Sequence, residues 1–183
     1  MGVERKLHTV ADFETFIAQP ENQERLFELI DGEIVEKMPT EEHGVLAARF
    51  AMRFGLFVED NDLGWVAVEA RYHAVGDNKN DRLPDVSFTS KSRSLPLVTQ
   101  GAVPQMPDLA IEIQSPDDKV KDMRAKADYY LAHGVRMVLL VYPRQRLIEV
   151  CTLDDVVFLT ENDTFDGGDV LPGFTLPLKL IFK

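Results

Sequence analysis

Cysteine is almost absent from this chain, because Cys151 is the only one among 183 residues. A disulfide within the chain is therefore excluded, and a lone thiol suits a reducing compartment, which predicts a cytoplasmic location. The sequence also has no cysteines and histidines grouped at the spacing of zinc ligands. We therefore expect the hydrophobic core to form without a disulfide framework or a structural zinc ion.

Long apolar runs are missing as well. The longest, such as VRMVLLVYP from Val135, fall far short of the roughly 20 apolar residues that a membrane-spanning helix needs. The opening residues MGVERKLHTV contain no apolar core. We therefore expect neither a secretory signal nor a membrane partner.

Positive charge is scarce, since 20 Lys and Arg residues face 31 Asp and Glu residues and the net charge is −11. This balance argues against a protein that binds nucleic acid through its own charge alone. It remains compatible with an enzyme that meets phosphate through a bound metal ion. The basic residues are unevenly distributed, because a cluster follows one predicted strand directly: Lys119, Lys121, Arg124 and Lys126.

The pattern of elements predicts an α/β protein with a mixed sheet. No repeat or linker interrupts the sequence, which favours a single domain over 1–183. A helix capped by Thr9 comes first, then a hairpin around Asp31-Gly32 and a long helix in EEHGVLAARFAMRFGLFVEDN. Strands follow, with a helix between two of them that we expect to start at Ser115. This order predicts a central mixed β-sheet flanked by helices.

Polar residues interrupt one of the most apolar strands, in the segment PDLAIEIQS. Alternate residues of a strand share a face, so Glu112 and Gln114 lie on one side, about 7 Å apart. A buried carboxylate without a partner is very costly. Either this is an edge or half-exposed strand, or its polar face meets a cation or a hydrogen-bond network.

A second acidic strand lies upstream, in LPDVSF, and contains Asp85. Neighbouring strands could bring Asp85 and Glu112 within reach of one divalent ion, whereas Asp108 is about 13 Å from Glu112 along the strand. Carboxylates suit Mg²⁺, a hard cation that keeps some of its water and binds phosphate oxygens. The two strands together therefore predict a metal site that acts on a phosphate ester.

Five segments are informative through their order and spacing: FELIDGEIVEKMPTEEH, RLPDVSF, PDLAIEIQSPDDKVKDMRAKADYYLAHGV, VLLVYPRQRLIEV and DVLPGFTLPLKLIF. Together they resemble the PD-(D/E)XK nuclease superfamily. More narrowly, the chain looks like a bacterial restriction-endonuclease family that was first catalogued as a domain of unknown function. The resemblance implies a restriction-endonuclease-like core and hydrolysis of DNA with Mg²⁺, or with Mn²⁺ in its place.

The resemblance also implies roles for individual residues. Asp85 and Glu112 correspond to the two acids of the motif and would be the metal ligands. Gln114 stands where the superfamily has a lysine, which is a departure because an amide carries no charge. Lys126 looks like a migrated replacement for that lysine. The alternative is that Lys126 is an exposed residue paired with Asp122 one helical turn earlier.

The sequence leaves other roles open. His43 begins the long helix where the family usually has a histidine, and it could contact the metal-bound water or DNA, or brace the start of the helix. Glu28, in the hairpin, could serve the site or the fold, and Glu69 could border the site.

The sequence is compatible with three functions. The first is a Mg²⁺-dependent endonuclease acting on DNA, which would form a homodimer because cutting both strands needs two sites. The second is a catalytically inactive nuclease fold that binds DNA or protein, as Gln114 and the net charge of −11 suggest. The third is hydrolysis of another phosphoester.

Overall fold

The computed structural model describes residues 7–183. The first six residues, part of the segment expected to lack a secretory signal, lie outside the described residues. Two compact units divide the chain: one runs up to Met38 and includes 71–83 and 97–105, and the other comprises 39–70, 84–96 and 106–183. A single domain over the whole chain stays a prediction. No helix within residues 7–183 is long and apolar enough to cross a membrane.

The first unit contains a capped helix and a hairpin, as predicted. Its elements are α1 (Val10–Ile17), β1 (Leu26–Ile30) and β2 (Glu33–Lys37). Thr9 and Asp12 form a reciprocal capping box at the start of α1. Asp31 and Gly32 both have positive φ, 49° and 83°, which is the conformation that a tight primed turn requires.

The second unit is built on a six-stranded sheet. Its strands are β3 (Gly64–Val68), β4 (Val86–Ser90), β5 (Leu109–Ile113), β6 (Met137–Tyr142), β7 (Leu147–Cys151) and β8 (Val156–Thr160). They lie side by side in the order β3-β4-β5-β6-β7-β8, and only the β5/β6 pair is parallel. The predicted mixed sheet is confirmed. A short hairpin of β9 (Thr164–Asp166) and β10 (Thr175–Pro177) follows the sheet.

Two helices belong to this unit, α2 (Glu41–Asp60) and α3 (Val120–Ala132). The side chains of Leu109, Ile111 and Ile113 in β5 share one core cluster with Phe50 and Phe54 of α2. The opposite face of β5 carries Glu112, and α3 packs on that side, as its contacts with β6 and with Glu112 demonstrate. Parallel strands need a crossover connection, and α3 is the connection between β5 and β6.

β5 is an interior strand with all five residues buried, which excludes the alternative of an edge or half-exposed strand. One expectation about this region was wrong: α3 begins at Val120 with Lys119 as its N-cap residue, not at Ser115. The carboxylate of Asp118 accepts the N–H of Ser115 at 2.8 Å and the N–H of Asp118 bonds the Ser115 carbonyl at 3.1 Å. These bonds close a turn that precedes the helix.

Asp108 anchors the start of β5 and lies outside the acidic pair, as the sequence predicts. It is fully buried and accepts the N–H of Ser90 at 2.7 Å and Nη1 of Arg93 at 2.9 Å. Burial by itself would raise the pKa of Asp108, but the bonds from Ser90 and Arg93 outweigh it and hold that pKa below its ordinary value. Asp108 therefore ties the segment after β4 to β5 while it is ionised.

This depressed pKa predicts a pH-dependent contribution to stability. The contribution is fully present above the ordinary aspartate pKa of about 3.9 and is lost as the pH falls through the lower pKa of the folded state. Asp108→Asn should therefore lower the free energy of unfolding by a constant amount at neutral pH, and by less below about pH 4. Urea titrations from neutral to acidic pH measure this difference. Asp154→Asn, at an exposed residue, is the control. A difference independent of pH would contradict the assignment.

Candidate active site

Asp85 lies immediately before β4 and is held against the neighbouring strand β5. Its N–H donates to the carbonyl of Ile111 at 3.0 Å, so the backbone continues the ladder between the two strands. Its carboxylate oxygen Oδ2 accepts the N–H of Ile113 at 2.6 Å. The residue is only 1% exposed. The carboxylate of Asp85 is therefore fixed at the carboxyl end of β5, bonded to the residue that follows Glu112.

His43 contacts Asp85 directly. Its ring atom Nε2 lies 3.0 Å from Oδ2 of Asp85, and both side chains are buried. The position of His43 follows from the start of α2, where its N–H donates to the capping hydroxyl of Thr40 at 3.3 Å. The structure thus places His43 beside the first predicted metal ligand, in addition to its place in the first turn of the helix.

Glu112 is 2% exposed in the middle of the sheet, and both of its oxygens have a partner on α3. Nζ of Lys126 donates to Oε2 at 3.0 Å, and the hydroxyl of Tyr130 donates to Oε1 at 2.7 Å. Lys126 and Tyr130 are four residues apart, so they lie on the same face of the helix, one turn from each other. Lys126 is only 18% exposed and pairs with Glu112, so it is not the exposed helix residue of the alternative interpretation.

Gln114 follows β5 and continues its ladder, because its N–H donates to the carbonyl of Val141 at 2.9 Å. Its side-chain amide Nε2 donates to the carbonyl of Asp118 at 2.9 Å. The amide is thus directed toward the loop that leads into α3. The catalytic role of Gln114 stays a prediction, as do those of Asp85, Glu112, Lys126 and His43.

The structure also gives the positions of Glu28 and Glu69, the two acids whose roles the sequence left open. Glu28 is buried in the first unit, where Oε1 accepts the N–H of Leu83 at 3.0 Å, which is a contact that supports the fold. Glu69 is exposed, and its N–H donates to the carbonyl of Asp85 at 3.3 Å. Glu69 also has a φ of 50°, an uncommon value for a residue other than glycine.

A further buried carboxylate, on Glu149 of β7, lies on the same face of the sheet as Glu112 and was not predicted. The pairings of Glu112 with Leu140 and of Leu140 with Glu149 place the three residues in one row. Nε of Arg124 donates to Oε1 of Glu149 at 2.9 Å, and the hydroxyl of Tyr142 donates to Oε2 at 3.0 Å. Arg124, one of the basic residues that follow the strand, joins α3 to the sheet through this ion pair.

The thiol of Cys151 lies at the end of the same strand β7 and is buried. Burial, with a smaller effect from the charge of Glu149, raises the pKa of Cys151 to about 11. A thiol with so high a pKa is almost entirely protonated at neutral pH and is a poor nucleophile. Cys151 therefore serves as a small residue of the core.

The donor atoms of Asp85 and Glu112 fit a hard divalent cation. Both offer carboxylate oxygens from neighbouring strands, and Mg²⁺ is commonly bound through one or two carboxylates while it retains several waters. Within residues 7–183, no group of three or more histidine, cysteine, aspartate or glutamate side chains is arranged to hold a metal ion. By ligand chemistry alone, a pair of carboxylates suits Mg²⁺ or Mn²⁺, which prefer oxygen ligands, better than zinc, which favours nitrogen and sulfur ligands.

Comparison with solved structures defines the class of fold. A crystal structure described as a "putative nuclease belonging to DUF820", from Anabaena variabilis ATCC 29413, matches with a TM-score of 0.79 and 22% sequence identity. The match covers 95% of this chain and 97% of that one. The chain thus shares the fold of that protein, and in this chain the fold contains a mixed six-stranded sheet flanked by helices.

The family follows from the sequence itself. The model of the Uma2 family, described as "Putative restriction endonuclease", matches residues 13–179. The chain belongs to this family, which confirms the resemblance that the motifs indicated. A DrdV–DNA complex studied by electron cryomicroscopy matches with a TM-score of only 0.34 at 17% identity over 75% of this chain and 96% of that one, too low to carry an argument. No curated protein matches significantly.

Proposed function

We propose that this protein is a metal-dependent endonuclease that hydrolyses phosphodiester bonds in DNA. One observation carries the proposal: two buried carboxylates, Asp85 and Glu112, are held at the carboxyl end of β5. Asp85 is held by a hydrogen bond from the backbone of β5, and Glu112 by two side chains of α3. In open α/β sheets, ligands commonly bind beyond the carboxyl ends of the strands. Membership of a restriction-endonuclease family supports the choice of DNA as substrate.

Asp85 and Glu112 would hold the ion, with Mg²⁺ as the first choice and Mn²⁺ as its substitute. When bound, such an ion supplies positive charge at the scissile phosphate and activates water for attack. The remaining coordination positions would be left to water and substrate oxygens, as Mg²⁺ prefers.

Neighbouring groups of the protein hold the two carboxylates in place. Tyr130 and Lys126 each bind one oxygen of Glu112, while the backbone N–H of Ile113 and the ring of His43 contact Oδ2 of Asp85. These contacts restrict both acids before substrate arrives, so little reorganisation is needed during the reaction. The ammonium group of Lys126 also places positive charge beside Glu112, where it would stabilise negative charge that develops on a nearby phosphate.

The direct test of this proposal uses supercoiled plasmid DNA and the purified protein. We expect conversion to nicked or linear DNA with Mg²⁺ or Mn²⁺ and none in the presence of a chelator, because the carboxylates need the ion to act on phosphate. Gel electrophoresis follows the conversion, and its dependence on protein concentration bears on the predicted homodimer. Intact plasmid in the presence of either ion would overturn the proposal.

A second function, an inactive nuclease fold that binds DNA or a protein, is favoured by Gln114. The position that has a lysine in the superfamily carries an uncharged amide, and that amide already bonds the carbonyl of Asp118. Calorimetry separates the two functions. DNA binding without any Mg²⁺ or Mn²⁺ binding would favour the inactive module, and a panel of other phosphoesters would test the third alternative.

A further inference from the structure

A cleft of about 180 Å³ lies beside the candidate active site within the second unit. Three segments line it: the start of α2, the loop between β5 and α3, and the turn after β6. His43 lines the cleft and also contacts Oδ2 of Asp85, so His43 lies between the cleft and the first predicted metal ligand. Gln114 lines it as well, two residues beyond Glu112.

Arg144 is the residue of this cleft with a permanent positive charge. It lies in the short 3-10 helix Pro143–Gln145, immediately after β6, and is exposed. Within the described part of the chain its side chain has no ion pair, in contrast to two other arginines of the same unit, each of which pairs with a carboxylate. Those pairs are Arg124 with Glu149 and Arg146 with Glu161. The guanidinium of Arg144 is therefore available to an anion that enters the cleft.

Two acids line the same cleft, and they differ in orientation. The carboxylate of Asp118 accepts the N–H of Ser115 and is thereby directed to its own loop. Glu42, in the first turn of α2, is exposed and has no ion pair among residues 7–183. The electrostatic potential in the cleft thus depends on Arg144, which attracts an anion, and on Glu42, which repels one.

We infer that Arg144 contacts a backbone phosphate of a DNA strand bound at the candidate active site, and that Glu42 weakens the same binding. The inference rests on the proposed function in taking DNA as the ligand. A guanidinium group pairs with two phosphate oxygens at once, which gives it an advantage over lysine for this contact. The carboxylate of Glu42 in the same cleft would lower the affinity for any phosphate backbone. Selectivity for particular DNA sequences would then depend on contacts with the bases elsewhere on the surface.

DNA binding at several salt concentrations tests the inference. A labelled DNA duplex is titrated with protein in the presence of a chelator, so that no cleavage occurs, and fluorescence anisotropy reports the dissociation constant. Arg144→Gln should weaken binding and reduce the slope of log affinity against log salt by about 1, as expected for one lost phosphate contact. Glu42→Gln should strengthen binding.

The matched control is Lys179→Gln, which removes one positive charge from an exposed residue of the same unit that does not line the cleft. This variant should leave the salt slope unchanged. Thermal unfolding of the exposed-site variants should stay close to that of the wild type, which separates a binding effect from a folding effect. Equal effects of Arg144→Gln and Lys179→Gln would overturn the inference, and so would a wild type that does not bind DNA.

The nuclease assay keeps this result distinct from the proposed function. Binding that depends on Arg144, without any cutting by the wild type in Mg²⁺, would support the inference and overturn the nuclease. Cutting that depends on Asp85 but is insensitive to Arg144 would overturn the inference alone.

Discussion

Replacing Asp85 with Asn is expected to abolish the metal-dependent nicking of DNA. The amide keeps the shape of the side chain and can still accept the N–H of Ile113, but it lacks the negative charge that binds the ion. We expect the rate to fall by at least about 10³-fold, equivalent to about 4 kcal/mol of transition-state stabilisation. Plasmid nicking measures the rate, and calorimetry should register the loss of Mg²⁺ or Mn²⁺ binding.

Glu112→Gln should have the same effect on cutting but is a harsher change. It leaves the ammonium group of Lys126 without its carboxylate in a mostly buried position, and breaking such a pair costs about 3–5 kcal/mol of stability. Asp108→Asn is the matched control, because Asp108 is a buried aspartate of the same unit that bonds Ser90 and Arg93. The control should lose stability and keep its activity. Unchanged cutting by folded Asp85→Asn would contradict the metal-ligand assignment.

Replacing Lys126 with Met is expected to lower the cutting rate by about 10²-fold or more, the typical effect of removing one preorganised electrostatic contact. If adding Gln114→Lys to this variant restores activity, the loss was caused by the missing positive charge of Lys126. Position 114 is where the superfamily has its lysine, so a lysine there would supply the charge that α3 supplies in this chain. Nicking rates of the single and double variants, measured on protein shown to be folded by circular dichroism, make the comparison.

Two controls sharpen this test. Lys121→Met removes an exposed lysine from the same helix and should leave cutting unchanged. Gln114→Lys alone should be active, since both charges are then present. If the double variant is folded and binds the metal ion but does not cut, Lys126 acts by orienting Glu112, and the hypothesis of a migrated lysine is wrong.

Local patterns in the sequence were sufficient to predict the first helix, the hairpin turn and the polar face of β5, but not the start of α3. Thr9 and Asp12 predict the capping box, and Asp31-Gly32 predicts the hairpin turn, because both depend on residues close together in the chain. The alternation in LAIEI places Glu112 opposite the core-facing residues for the same reason. The start of α3 escaped prediction because Ser115 and Pro116 are good helix-starting residues, yet Asp118 closes a separate turn.

Contacts between distant segments could not be read from these patterns. A lysine at position 126 is compatible with an exposed helix surface, and only the packing of α3 on the sheet brings it to Glu112. The contact of His43 with Asp85 likewise depends on how α2 meets the sheet, and the pairing of Arg124 with Glu149 depends on the β6–β7 register.

The sequence by itself determined the mixed α/β fold and the family, since both depend on local spacing or on motif order, and it predicts Asp85 and Glu112 as the metal ligands. Only the tertiary structure decided which groups surround those acids: Tyr130 and Lys126 on Glu112, and Ile113 and His43 on Asp85. It also placed Arg144 in the adjoining cleft. The physical reason is that a buried charge needs partners within hydrogen-bond distance, and the packing of helices and strands determines which groups come that close. The number of residues between two groups in the sequence does not reveal this distance.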